Sequence, residues 1–420
     1  MSLLVVMGSG ETAPAMVKTH REVLSRSGSG PAAMLDTPFG FQVNADELVA
    51  RTRTYFAESV GTPVEVARWR RSDEPVVERE QALSLLAQAR WAFAGPGSPT
   101  YALRQWHGTA VPDALADVVT RGGTLVLGSA AAVTLGTHAV PVYEIYKVGD
   151  EPRWVEGLDL LGRLTGIRAA VIPHYDNAEG GSHDTRFCYL GEQRLSALEA
   201  ELPDDVGVLG VDEHTALVLD LEAGTATVSG SGVATVRRRG VSRTFAAGEQ
   251  LALTDLAAML RGDDVGAGGE PAAGPPSPAT AAADATDGTP SLSRDTEAAR
   301  AAFDAAHQAK DVDGCVQAVL ELEQAVHDWS ADTLQGEAMS AARRVLRSMV
   351  VRLGEIARVG ARDPREVVGP YVELLLRLRD SARAARDFGT ADAVRDGLTA
   401  AGVEVRDAAG GTQWVLPQPS

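Results

Sequence analysis

One rhythm over residues 1–261 constrains this chain more than any other feature: apolar runs of four or five residues, each followed by a longer stretch of helical periodicity. Leu3–Met7, Ala32–Leu35, Val64–Ala67, Trp91–Ala94, Thr124–Leu127 and Ala169–Ile172 are the strand candidates, with helical stretches such as Asp46–Ser59 and Glu78–Ala89 between them. Strands that are apolar throughout are buried on both faces, and strand–helix alternation builds a mostly parallel sheet sandwiched by helices. After Val206–Gly210 the pattern shifts to short strands with glycine turns, "TALVLDLEAGTATVSGSGVATVRRRG", which predicts an antiparallel edge. A helix near Leu251–Arg261 closes this domain.

Residues 262–292 carry almost no large apolar side chains and are rich in Gly, Pro, Ala and Asp, the composition of a disordered linker. From residue 293 to 420 the periodicity is helical, over Asp295–Ala309, Val312–Trp329, Leu334–Val359, Val367–Asp387 and Thr390–Ala400. A hairpin with Gly410-Gly411 in its turn ends the chain. The expected fold class is α/β plus an all-α bundle with a terminal β-hairpin.

The formal charge of −18 argues against bulk nucleic-acid binding but leaves room for a local basic stripe. Two cysteines, Cys188 and Cys315, in separate domains make neither a disulfide framework nor a cysteine zinc site. No cofactor and no metal are expected. The apolar run in "MSLLVVMGSGET" is too short for a signal segment, and no membrane span is expected, so a cytoplasmic protein is anticipated. The sequence leaves the oligomeric state open.

In a parallel sheet, ligands gather where the strands end. Four loops at such ends stand out: "GSGETAP" (Gly8–Pro14), "GPGSPT" (Gly95–Thr100), "GSAAA" (Gly128–Ala132) and "PHYDN" (Pro173–Asn177), with "GVDEHTA" as a fifth feature. Ser129 has two readings: a nucleophile on a strand-to-helix elbow, or one of several small residues in a crowded turn. As a nucleophile it needs a general base, for which His174 is well placed, and a carboxylate to orient that base, from Asp212 or Glu213. The helix after Ser129 would aim its first N–H groups, starting with Ala130, at a developing oxyanion. Gly95 and Gly97 would let a backbone donor approach the same carbonyl, although Pro96 between them has none. Elsewhere, "GSGETAP" reads as a helix start capped by Ser9 or Thr12, Arg237–Arg239 as a solvated strand edge, Cys188 as an apolar filler and His20 as structural or exposed.

Taken in order, "GSGETAP…GPGSPTYAL…GSAAA…PHYDNAEGG…GEQRL…GVDEHTA" resembles the serine peptidases typified by dipeptidase E and cyanophycinase, over nearly all of the first 240 residues. The resemblance implies a flavodoxin-like, class I glutamine amidotransferase-like fold in a bacterial enzyme. It also implies a Ser129–His174–Glu213 triad that cleaves a peptide or isopeptide bond in a small peptide-like substrate, next to an acidic residue. His174 and Asn177 fall in the Pro-His-aromatic-x-Asn context. Asn177, Arg186 and Arg194 are then substrate-binding candidates, the arginines as bidentate partners of a carboxylate. Ser129 Oγ should lie within hydrogen-bond reach of one His174 nitrogen while the other faces Glu213. The family elbow reads Gly-x-Ser-Ala-Gly, whereas here Leu127 precedes Ser129 by two and Ala131 follows it by two. A remodelled active elbow and an inactive ligand- or partner-binding relative both remain open.

The C-terminal "LLRLRDSARAARDFGTADAVRDGLTAAGVEVRDAAGGTQW" resembles the end of cysteinyl-tRNA synthetases, and the helices from about residue 297 resemble its anticodon-binding bundle more loosely. No HIGH-type or KMSKS-type sequence accompanies it, so the chain is not an aminoacyl-tRNA synthetase. Arg377, Arg379, Arg383, Arg386 and Arg395 either meet phosphates or pair with neighbouring aspartates. The resemblance implies a tRNA or a protein partner for residues 293–420, and with it a tRNA-associated hydrolase acting on an aminoacyl or peptidyl product.

Overall fold

A computed structural model describes residues 1–178, 183–263, 291–309, 311–330, 336–360, 364–408 and 411–416. The expected linker falls mostly, and the expected Gly410-Gly411 turn partly, outside these residues. Met1–Ala298 with Glu321–Arg343 forms one compact unit, and Ala299–Leu320 with Arg344–Ser420 the other.

The first unit is α/β, built on two mixed sheets. Strands β1 (Leu3–Met7), β2 (Ala32–Leu35), β3 (Glu65–Ala67), β4 (Trp91–Ala94) and β5 (Thr124–Gly128) pair in parallel in the order β1-β5-β4-β2-β3. The second sheet holds β6 (His138–Ala139), β7 (Val155–Glu156), β8 (Ala169–Ile172) and β9 (Gly207–Val211). On the other side of β1, the first sheet continues antiparallel through β10 (Thr215–Asp220) and β11 (Thr225–Gly230). Next in the chain, β12 (Val233–Arg238) and β13 (Val241–Ala246) extend the second sheet beside β9, and β14 (Gln250–Ala252) edges the first. All six strand candidates that open the chain form strands, and the antiparallel edge is shared between the two sheets.

The apolar runs explain why both faces are covered. Along β1, Leu4 and Val6 join one buried cluster with Leu125 and Leu127, while Leu3, Val5 and Met7 join another with Val126, Trp91 and Phe93. Successive side chains of a strand point to opposite faces, so an uninterrupted apolar strand needs a core on each. Among the described residues no helix is long and apolar enough to cross a membrane.

Arg237 corrects the expectation of a solvated edge. It is 3 % exposed, with Nε donating to Glu199 Oε2 at 3.0 Å and the guanidinium also bonding Glu192 and Ser196, which ties β12 to the helix Gly191–Glu199. Charge and alternation on a strand do not say which face will be covered by a helix carrying the opposite charge.

In the second unit, the C-terminal hairpin pairs β15 (Glu404–Ala408) with β16 (Gly411–Val415). Trp414 packs with Val372 and Leu376 of the helix Pro364–Ala384, and with Leu398 and Val403. Arg379 of that helix is 3 % exposed and donates to Thr412 Oγ1 at 3.1 Å, so it braces the hairpin. Arg377, Arg383, Arg386 and Arg395 are exposed, and Arg395 lies 3.3 Å from Asp396.

Removing the Arg237 side chain leaves Glu199 buried without its cation. Arg237→Ala should cost about 3–5 kcal/mol of unfolding free energy, whereas Arg239→Ala, at an exposed pair with Asp204, should stay within about 0.5 kcal/mol. Urea titrations of the two variants check the contrast.

Candidate active site

Parallel pairing of β1 with β5 sets Met7 opposite Gly128, and β4 sets Ala94 opposite Leu127, so three chain segments leave the sheet side by side. Ser129 follows at once with φ +46°, a left-handed conformation that non-glycine residues rarely take. Gly128 is extended and Ala130–Val133 complete a short helix. Neither Leu127, buried in β5, nor Ala131, whose N–H donates to Gly95 O at 3.2 Å, prevents the elbow pose. Gly128 serves a different need from the family's glycines: a Cβ there would lie 3.2 Å from the Glu11 carboxyl carbon.

Glu11, in the loop after β1, is 2 % exposed and accepts a hydrogen bond from Ser129 Oγ at 2.8 Å. Its own backbone carbonyl is bonded to His20 Nε2 at 2.7 Å. Burial pushes the His20 imidazole down to about 4, so the neutral ring donates this bond from within a box of Tyr55, Phe56, Trp91 and Phe93.

The second sheet delivers His174 to the same place. It lies just beyond β8, with φ +48°, and its N–H donates to Gly8 O at 3.3 Å, while Tyr175 N–H donates to Val211 O at 3.2 Å. His174 Nδ1 is 3.1 Å from Glu213 Oε1, and Asn177 Nδ2 donates to the same oxygen at 3.0 Å. Burial pushes the Glu213 carboxyl up, but the bonds from His174 and Asn177 outweigh it and hold Glu213 below its usual range. Of the two acids considered to orient His174, Glu213 does so. Asp212 accepts from Val233 N–H at 2.9 Å, and burial, reinforced by the charge of Asp176, pushes it up to about 7.

Ser129 and His174 line one cleft of about 590 Å³, shared with Phe39, Gly97, Ala130, Tyr146, Lys147 and Tyr189. They are not hydrogen-bonded to each other: the serine proton is directed to Glu11. The expected His174–Glu213 contact is therefore present and the expected Ser129–His174 contact is not. Gly97 and Ala130 reach the cleft wall, and Gly97 has φ +143° with Pro38 O 2.0 Å from where a Cβ would be, so only glycine fits. Gly95 lies against Glu11 and does not line the cleft. Asn177 is buried on Glu213 rather than directed at a ligand. Arg186 is held bidentately by Asp184 at 2.8 Å through each bond, and Arg194 is an exposed residue of the helix Gly191–Glu199; neither lines the cleft. Lys147 does, with its ammonium 5.1 Å from the Tyr146 ring. Cys188 forms part of the wall, and burial pushes its thiol up to about 12, so it stays neutral.

Glu11 and Lys147 were not singled out by sequence. The "GSGETAP" loop lies at a strand end, but its glutamate carries no periodicity or spacing that ties it to a serine 118 residues away. Lys147 sits in a segment with no motif at all. Among the described residues no cluster of His, Cys, Asp and Glu has the arrangement to hold a metal ion.

Residues 368–414 match the family described as the cysteinyl-tRNA ligase anticodon binding domain. The chain is similar to the cysteine–tRNA ligase of Chromobacterium violaceum, 35% identical over 91 residues covering 19% of this chain and 20% of that protein. It is also similar to that of Nitratidesulfovibrio vulgaris, 56% identical over 43 residues covering 10% of this chain and 9% of that protein. The chain thus spans only about a fifth, or less, of these relatives' length. Among solved structures it is similar to a peptidase from an acI-B1 Actinobacterium, with a TM-score of 0.49 and 20% identity over 60% of this chain and 97% of that one. A putative peptidase E from Listeria monocytogenes matches with a TM-score of 0.36 and 14% identity over 59% of this chain and 100% of that one.

Because the folded state raises the Asp212 value to about 7, it keeps a proton that the unfolded chain releases near its ordinary value of 3.8. Stability therefore falls as pH rises between those values and levels off above. Between about pH 5 and about pH 7.5 the wild-type chain should lose at least about 1 kcal/mol more than Asp212→Asn. Urea midpoints at both pH values check this, and equal losses would assign the proton elsewhere.

Proposed function

We propose that the first unit is a serine hydrolase that cleaves a peptide or isopeptide bond next to an acidic residue. The observation that carries this reading is a serine in the strained left-handed pose, facing a cleft it shares with a histidine whose Nδ1 is engaged by a half-buried glutamate. A carboxylate on Nδ1 fixes the neutral tautomer with its lone pair on Nε2 and stabilises the imidazolium that forms. In the reaction, Ser129 Oγ attacks the acyl carbon and gives its proton to His174 Nε2. His174 passes that proton to the leaving amine, and water attacks the acyl-enzyme by the reverse sequence. The backbone N–H groups of Gly97 and Ala130 serve as oxyanion donors. Lys147 takes the substrate-carboxylate role that Arg186 and Arg194 do not reach.

A fluorophosphonate probe should label the wild-type chain at Ser129. Labelling should vanish in Ser129→Ala and slow by about 10²–10⁴-fold in His174→Ala. On a panel of Asp-X and isoaspartyl dipeptides, Lys147→Ala should raise KM with little change in kcat. An unlabelled wild type would support the alternative of an inactive binding scaffold.

The match of residues 368–414 to an anticodon binding domain favours a second, compatible role: tRNA recognition by residues 293–420, the hydrolase acting on an aminoacyl or peptidyl product. Exposed Arg377, Arg383, Arg386 and Arg395 would supply phosphate contacts. The full chain should then bind tRNA at low salt with affinity that falls as salt rises. No binding at low salt would leave a protein partner as the reading for this unit.

A further inference from the structure

A serine hydroxyl has one proton and two lone pairs. In this structure that proton is directed at Glu11 Oε2, 2.8 Å away, yet acyl transfer needs it on His174. Either Ser129 leaves Glu11 before it reacts, or the bond persists with the proton carried by the carboxyl group. The surroundings favour persistence. The Glu11 backbone is pinned by His20 at 2.7 Å, and the side chain is 2 % exposed. Its carboxyl group fills the space left by two glycines: a Cβ on Gly95 would lie 2.6 Å from Oε1, and one on Gly128 would lie 3.2 Å from the carboxyl carbon. The site is built to hold this carboxyl group against Ser129. An ionised carboxylate there would oppose the negative charge that develops on the attacking and departing Oγ, whereas a hydrogen-bond donor would stabilise it.

We propose that Glu11 is a third catalytic group on Ser129, acting as a neutral carboxylic acid that donates a hydrogen bond to Oγ while the serine's own proton passes to His174. The proposal rests on the reading of Ser129 as a nucleophile. The protons balance: Oγ–C forms as the serine proton moves to His174 Nε2, and the leaving amine takes that proton as the C–N bond breaks. In the second half, water gives a proton to His174, which returns it to Oγ as the Oγ–C bond breaks. The Glu11 proton stays on Glu11 throughout.

The test is the rate of fluorophosphonate labelling at Ser129 in the full chain, for wild type, Glu11→Ala, Glu11→Met and Glu11→Gln, with folding checked by circular dichroism. Glutamine keeps a donor in the same place, alanine removes the group, and methionine fills its volume without a donor. Glu11→Ala and Glu11→Met should be slower by about 100-fold, and Glu11→Gln should recover to within about 10-fold of wild type. If Glu11→Ala does not fold, the comparison of methionine with glutamine decides. Rates equal to wild type in all variants, faster rates in any donorless variant, or equal loss in a folded Glu11→Gln would each overturn the proposal. A wild-type chain that is never labelled at Ser129 overturns the hydrolase reading and this proposal together, whereas a labelled wild type with the wrong variant pattern overturns this one alone.

Discussion

The site depends on the parallel register between β1 and β5. Pairing Met7 with Gly128 makes the two strands end at the same level, so the loop carrying Glu11 and the elbow carrying Ser129 emerge as neighbours. A slip of one residue would take Met7 out of line with Gly128, and the Glu11 loop and the Ser129 elbow would no longer emerge together. Strand register, in a sheet buried on both faces, thus sets the position of two polar groups at the strand ends. The second sheet adds the histidine through backbone bonds from His174 to Gly8 and from Tyr175 to Val211.

Around that junction the acids are sorted by their partners. Glu213 receives bonds from His174 and Asn177 and is held ionised against its burial. Asp212, next to it in the chain, receives one backbone N–H and faces the charge of Asp176, so burial wins and its value rises. Adjacent carboxylates thus acquire opposite tendencies, and the one that remains charged is the one on the imidazole. His20 follows the same logic from the other side: enclosed by aromatic rings, it is neutral and serves as a backbone strut.

Much of the fold was legible because it depends on local patterns. Short apolar runs announced the central strands, and small residues after Thr124–Leu127 announced a tight turn into a helix. The positions of His174 and Glu213 were legible through motif context. The burial of Arg237 is not legible in the sequence, because its partners, Glu192 and Glu199, lie on a helix whose approach to β12 no local pattern encodes. Arg186 is held by Asp184, two residues away, and so is not directed at a ligand. Arg379 looked like a surface cation until the hairpin closed over it.

By itself the sequence determined the α/β class of the first unit, the helical character and terminal hairpin of the second, and the loops where chemistry would gather. These follow from side-chain periodicity and turn chemistry, which act over a few residues. Only the tertiary structure decided that Ser129 takes the left-handed pose without the usual flanking glycines, that Gly128 makes room for a carboxyl group, and that the serine proton is directed to Glu11 rather than to His174. Those outcomes depend on strand register and sheet-to-sheet contacts between segments more than a hundred residues apart, where burial and steric fit act and sequence spacing carries no signal.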